Sequence, residues 1–360
     1  MGLTDSLQSP VIAAPLAGGV GTPELVAAVA AAGGLGFLPG GYLTPEALTE
    51  QIATVHRLSV RPFGVNLFLP GPRRDEGVAQ YRERLEASGF EPGEPIHDDD
   101  HYPGKLELLL ADPVPIVSFT FGCPDAETVA ALHGVGSEVA VTVSSPDEAR
   151  VATAVGADVL VVQGMEAGAH RGVHSDDPAH PQGGETFGLV ALLRLVASVT
   201  DRPLIAAGGI MDGAGIAAVL SAGAVAAQLG TAFLRCPEAG TTPAHRAALA
   251  AAKAETVITR AFTGRPARGI RNPFLDEHSS AAPAAYPQLH HMTKPIRALG
   301  DPDSMSLWAG QAYPLGRQLP VGELVAVLLD EARAAAANTA SRLGVGRSTL
   351  GRPMARQWAG

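Results

Sequence analysis

Short apolar runs rich in Val, Ile and Leu recur along this 360-residue chain, each ending in Gly, Pro, Ser or Thr. Most lead into an Ala-, Leu- and Glu-rich stretch with helical period. Eight runs read as strands: Val11 to Ala14, Leu35 to Leu38, Phe63 to Phe68, Ile116 to Thr120, Glu138 to Val143, Val159 to Gln163, Leu204 to Ala207 and Val225 to Leu229. Eight successive βα units predict an α/β protein, a closed (β/α)8 TIM barrel.

Three of the helices carry their own start signals. Thr22-Pro23-Glu24, Thr44-Pro45-Glu46 and Ser145-Pro146-Asp147 each combine a hydroxyl N-cap, Pro at the first helical position and an acid in the first turn. The rhythm breaks between the third and fourth strands, where a charged stretch from about residue 70 to 110 holds Asp98, Asp99 and Asp100 and reads as a solvated insertion or lid. After Thr231 the pattern turns irregular and helical through about residue 312, and a helix from about Val321 to Leu343 follows. The expected organisation is a barrel over 1–235, a smaller and mainly helical cap over 236–314, and a terminal segment, 315–360, that packs back on the barrel.

Composition narrows the partners. The formal charge is −10, with no basic block, which argues against a nucleic-acid partner. Cys123 and Cys236 are far apart and sit in no zinc or CxxC spacing, as in a reducing compartment. Residues 1–6 carry no cationic, apolar leader, and no long apolar run follows, so the chain reads as cytoplasmic, without a membrane partner.

In a barrel of this kind phosphate commonly docks on the loops after strands seven and eight. Here those loops are Ala207-Gly208-Gly209-Ile210 and Gln228-Leu229-Gly230-Thr231, which offer bare backbone N–H groups and one hydroxyl. Without a Cβ, glycine lets the backbone close on phosphate oxygens. The alternative is that these glycines only turn the chain. A dinucleotide fingerprint at Gly19-Val20-Gly21 lacks its third glycine, and no P-loop occurs.

Beyond the sixth strand lies Gln163-Gly164-Met165-Glu166-Ala167-Gly168-Ala169-His170-Arg171-Gly172, which puts an imidazole in a Gly-rich loop at the barrel mouth. Such a group can act near neutral pH, although a structural role is the commoner fate of a single histidine. His174, His180, Asp176 and Asp177 follow, but no helix aligns them and no third ligand matches, so no metal site is assigned. Asn66 and Gln163 are amides in otherwise apolar strands. They can read the edge of a heteroaromatic ring or satisfy nearby backbone, and Ser118 and Thr120 leave the same choice open.

Taken together, Ala14-Pro15-Leu16-Ala17-Gly18-Gly19, Phe63 to Phe68, Ser118 to Gly122, Gln163 to Gly172 and the two glycine loops resemble the nitronate monooxygenase family, formerly called 2-nitropropane dioxygenases. Thr263 to Gly269 and Leu307 to Gln311 extend the resemblance over nearly the whole chain. The resemblance implies a barrel that binds FMN without a metal, as a monomer or homodimer. Ala14, Pro15, Leu16, Asn66, Gln163 and Gly168 would surround the flavin ring and its ribityl chain. Gly208, Gly209, Gln228, Leu229, Gly230 and Thr231 would hold the phosphate. His170 would face the substrate, polarising the nitro group or taking the α-proton of a neutral nitroalkane. The cap would add Tyr286, His290 and Lys294, whose four-residue spacing predicts one helix face, although His290-His291 and Lys294 could equally be the exposed side of a cap helix; His290 stands where the family leads one to expect Tyr.

The implied activity is oxidation of alkyl nitronates by O2 to carbonyl compounds and nitrite. An FMN-dependent NAD(P)H:quinone or enoyl-thioester reductase is the alternative, since related barrels share the flavin-binding residues. A ligand-binding sensor without catalysis is the third reading, and the intact His170 argues against it.

Overall fold

The computed structural model describes residues 7–345. In chain order its elements are β1 (Val11–Ala13), α1 (Pro23–Ala31), β2 (Leu35–Pro39), α2 (Pro45–Leu58), β3 (Gly64–Phe68), α3 (Val78–Ala87), α4 (Tyr102–Ala111), β4 (Ile116–Thr120), α5 (Ala126–Gly134), β5 (Glu138–Val143), α6 (Pro146–Ala154) and β6 (Val159–Gln163). There follow β7 (Ala169–His170), α7 (Leu189–Ala197), β8 (Leu204–Ala207), α8 (Gly213–Ser221), β9 (Ala226–Leu229), α9 (Pro243–Ala251), β10 (Thr256–Thr259), β11 (Ala267–Ile270), α10 (Pro273–His278), α11 (Gln288–Ala298) and α12 (Val321–Arg342).

Eight parallel strands close into a barrel in the order β1-β2-β3-β4-β5-β6-β8-β9, and β9 returns to β1 with Val11 opposite Ala227. All eight runs singled out from the sequence are strands of this barrel. Alternation sorts their side chains. Ile12, Phe37, Ile116, Val161 and Ile205 gather in one buried cluster, while their neighbours Val11, Leu38, Val117, Leu160 and Leu204 pack in another that includes helix residues such as Val26 and Leu193. The three start signals cap as expected: Thr22, Thr44 and Ser145 accept hydrogen bonds from the amides of Leu25, Ala47 and Glu148.

The stretch from 70 to 110 divides between two cores. Val78, Tyr81 and Leu85 of α3 pack with Phe262, Phe274, Leu289 and Met292, and the Tyr81 hydroxyl donates to the carbonyl of Ala261 at 2.6 Å. By contrast α4 belongs to the helical ring of the barrel, with Leu109 in its core. The expectation of a solvated Asp triplet fails at Asp100. Its carboxylate binds the fully buried Lys105 at 2.6 Å and accepts from the amide of Tyr42 at 2.7 Å. Lys105 also donates to the carbonyl of Gly40, so the loop is pinned to the end of β2.

The segment after Thr231 contains a feature absent from the sequence reading. The antiparallel hairpin β10-β11 takes β7 as its third strand, with His170 opposite Ala267. Thr256, Val257, Ile258 and Thr259 are all β-branched, which favours a strand, but four residues are too few for a periodic signal. At the other end, α12 buries Val321, Leu324, Val325 and Leu328, and its Glu331 accepts from the amide of Gly213 at the start of α8. The residues of the terminal segment beyond 345 lie outside the described range. Among the described residues no helix is long and apolar enough to cross a membrane.

Candidate active site

A cavity of about 320 Å³ opens at the C-terminal ends of the barrel strands, in the size range of small-molecule and cofactor sites. Its barrel side is mostly backbone. Ala14, Pro15 and Leu16 line it after β1, Gly208 and Gly209 after β8, and Gly230 and Thr231 after β9. The amides of Gly208 and Gly209 donate to no backbone oxygen among the described residues. The 3-10 turn that begins at Thr231 leaves its first N–H groups without intrahelical acceptors. Gly208 has φ of 120°, and a Cβ there would sit 3.1 Å from the amide nitrogen of Ala167. At Gly168 a Cβ would fall 2.5 Å from the amide nitrogen of Gly310, so this glycine lets the His170 loop lie directly on the segment after Trp308.

The amides divide. Asn66 donates through Nδ2 to the hydroxyls of Ser118 and Thr120, and its buried Oδ1 has no partner among the described residues. Gln163 bridges backbone, donating to the carbonyl of His170 at 3.1 Å and accepting from the amide of Gly172 at 2.7 Å. It therefore braces the His170 loop while also lining the cavity. Gln228 lines the cavity, whereas Leu229 does not: alternation along β9 turns its side chain into the barrel–helix core, and only its carbonyl, which accepts from Ala14, works at this end.

The cap side is built from side chains. His170 lines the cavity, its Nε2 lies 2.9 Å from the hydroxyl of Thr263, and its ring meets Phe121, Tyr286 and Trp308 at 5.5, 5.8 and 5.8 Å. Burial, with Arg265 and Arg297 nearby, pushes its pKa down to about 3, so the imidazole is neutral over the physiological range. His290 stacks on Tyr42 at 4.0 Å, and burial carries its pKa down to about 2.

The three cap residues do not share one face. Tyr286 precedes α11, reaching His170 by ring contact and Tyr42 by its hydroxyl. His290 lines the cavity, and Lys294 is exposed and does not. Each four-residue step rotates a helical position by about 40°, and the drift carries Lys294 past the edge of the buried face. Arg297, seven residues from His290, returns to within about 20° of it. It lines the cavity and donates to the carbonyl of His290 at 2.8 Å. That i+7 spacing was a signal in the sequence for Arg297, and Trp308 lay in the Leu307 to Gln311 segment of the resemblance; Tyr42, which joins through a loop, had none.

Among the described residues no three His, Cys, Asp or Glu side chains gather as a metal would require. His174 donates through Nε2 to the carbonyl of Thr142, His180 pairs with Asp177, and Asp176 pairs with Arg260.

A family model described as nitronate monooxygenase matches residues 2–331. The chain is 41% identical to a nitronate monooxygenase of Pseudomonas aeruginosa, over 91% of this chain and 97% of the relative. It is 36% identical to a probable nitronate monooxygenase of Bacillus subtilis, over 91% and 96%. Among solved structures it is similar to a nitroalkane oxidase from Streptomyces ansochromogenes, with a TM-score of 0.90, 48% identity, and coverage of 94% of this chain and 99% of that one. It is also similar to FabK from Thermotoga maritima, with a TM-score of 0.76, 28% identity, and coverage of 94% and 98%.

Proposed function

We propose, because the chain belongs to the nitronate monooxygenase family, that it is an FMN-dependent enzyme that oxidises alkyl nitronates, and nitroalkanes after proton removal, with O2 to carbonyl compounds and nitrite. The observation that carries this reading is the meeting, in one cavity, of unpaired glycine-loop amides with a neutral imidazole.

The residues present fit the cofactor. Free amides at Gly208, Gly209 and Thr231 suit a phosphate, and the unpartnered Oδ1 of buried Asn66 suits a ring N–H. In this reading Gly208, Gly209, Gln228, Gly230 and Thr231 hold the phosphate. Ala14, Pro15, Leu16, Asn66, Gln163 and Gly168 flank the ring and ribityl chain. FMN supplies the electron transfer between substrate and O2.

The chain's own side chains orient the substrate and move the proton. His170 hydrogen-bonds the nitro group of a nitronate, or takes the α-proton of a nitroalkane. Arg297, which lines the cavity where Lys294 does not, offers positive charge to the nitro oxygens. His290 forms the wall beside them, and Tyr286, which does not itself line this cavity, packs against the His170 ring. Residues 1–235 then act as the cofactor-binding unit and 236–314, joined by α3, as the substrate-facing unit.

The test is nitrite release from alkyl nitronates by purified protein with FMN under air; absence of nitrite overturns the assignment. Anaerobic bleaching of the flavin by NADH or NADPH would instead mark a reductase.

A further inference from the structure

We infer that Thr263 is a positioning residue that holds His170 in its Nε2–H form, leaving the Nδ1 lone pair as the acceptor for the α-proton of a neutral nitroalkane. The inference rests on the reading above for its substrate, but the assignment of the proton follows from a count at one hydroxyl.

A threonine hydroxyl has one hydrogen to give and two lone pairs to receive with. Three groups surround Thr263 Oγ1, which is almost fully buried: the carbonyl of Arg265 at 3.2 Å, the amide of Arg265 at 3.3 Å and His170 Nε2 at 2.9 Å. The carbonyl can only accept, and no other donor reaches it among the described residues, so it takes the hydroxyl hydrogen. The amide can only donate and fills one lone pair. The remaining lone pair faces His170, whose Nε2 must therefore carry a hydrogen. In a neutral imidazole the other nitrogen is then bare, and Nδ1 has no hydrogen-bond partner among the described residues while the ring lines the cavity.

The ring cannot easily turn away from this arrangement. Its carbonyl is held by Gln163, and its residue is paired with Ala267 in the cap sheet. Phe121, Tyr286 and Trp308 enclose it. In the step itself the α-C–H bond breaks and an N–H bond forms at Nδ1. The C–H electron pair becomes the C=N bond of the nitronate, whose charge moves to the nitro oxygens. Arg265 and Arg297 disfavour a lone imidazolium, and the same two charges favour the nitronate anion formed beside it. Thr263 remains an acceptor for Nε2–H throughout, so no rearrangement of the hydroxyl accompanies the transfer.

Two measurements test this. Nitrogen-15 NMR of histidine-labelled protein, with and without FMN, reads the ring directly, the His170 signals being identified by their loss in His170→Asn. The expected spectrum shows hydrogen on Nε2 and a bare Nδ1, with a tautomer mixture in Thr263→Val and the original pattern in Thr263→Ser. Hydrogen on Nδ1 in the unaltered protein would overturn the inference, whatever the enzyme oxidises. Kinetically, Thr263→Val is expected to lower the ratio of nitroalkane to matching nitronate turnover at least tenfold, and Thr263→Ser to restore it. An equal fall on both substrates would reduce Thr263 to a structural part, and an unaltered enzyme that oxidises nitronates but ignores nitroalkanes would overturn the base role. Failure to form nitrite from either substrate would count against the proposed function, with the NMR result still deciding the tautomer.

Discussion

The two sides of the cavity are made from different materials. The barrel side presents backbone: Gly208, Gly209 and Gly230 sit at strand ends whose positions the closed sheet fixes. The cap side presents side chains, among them His170, His290, Arg297 and Trp308, which arrive from separate loops and helices and are held by one another. Backbone tolerates no change of shape but needs little particular chemistry, whereas side chains can be exchanged at constant shape and lose only their chemistry. The contrast predicts that substitutions on the barrel side abolish cofactor retention, while those on the cap side alter turnover with the cofactor still bound.

The sharpest break would come from Gly208→Val, which forces a β-branched residue into φ of 120° and a Cβ against the Ala167 amide. Strain and overpacking together amount to about 4 kcal/mol, or roughly three orders of magnitude if the loop yields and the phosphate cradle opens. Flavin titration by fluorescence should show that loss, and FMN bound as tightly as before would mean the glycine loop is not the cradle. Next in size, His170→Asn should keep the flavin and lower nitroalkane turnover about 10²- to 10⁴-fold. Loss of flavin in that variant would erase the distinction between the two sides.

Lys105→Met probes the joint between the sides, since Lys105 ties Asp100 and the Gly40 carbonyl together beneath Tyr42. Removing one partner of a buried pair costs about 3–5 kcal/mol, which urea denaturation would register as a lowered midpoint. A smaller effect is expected from pH. Burial holds His170, His245 and His290 at about 3, 4 and 2, below the usual 6.5. Between pH 6.5 and 4 the unfolded chain binds more protons than the folded one, so stability increases with pH across that window and is lost as pH falls. A urea midpoint equal at pH 7 and pH 5 would contradict the burial of these rings. Smallest of all, Lys294→Ala should change KM less than about twofold, because the side chain is exposed; a large rise would restore it to the pocket.

The same contrast explains what could be read beforehand. The barrel side was legible because strand ends, glycines and the order of βα units are local in sequence, and their meeting follows from closure of the sheet. Leu229 turns its side chain away from the cavity by alternation, which a motif read as a block does not show. The cap was harder. Its hairpin has four-residue strands, the second of them interrupted by Arg and Gly, and the side chains that meet His170 come from Phe121, Thr263, Tyr286 and Trp308, with no spacing in common. Asp100 showed the same difficulty in reverse, because three consecutive acids look solvated until Lys105 is found beneath one of them.

The ladder that pairs His170 with Ala267 makes the imidazole answer to the hairpin as well as to the barrel wall, where Gln163 holds its carbonyl. Any shift of that hairpin would carry the ring and the Thr263 hydroxyl together, preserving their separation while changing their height above the barrel floor. Drift in the hairpin sequence could thus retune which molecules fit between floor and ring without disassembling the proton-handling pair.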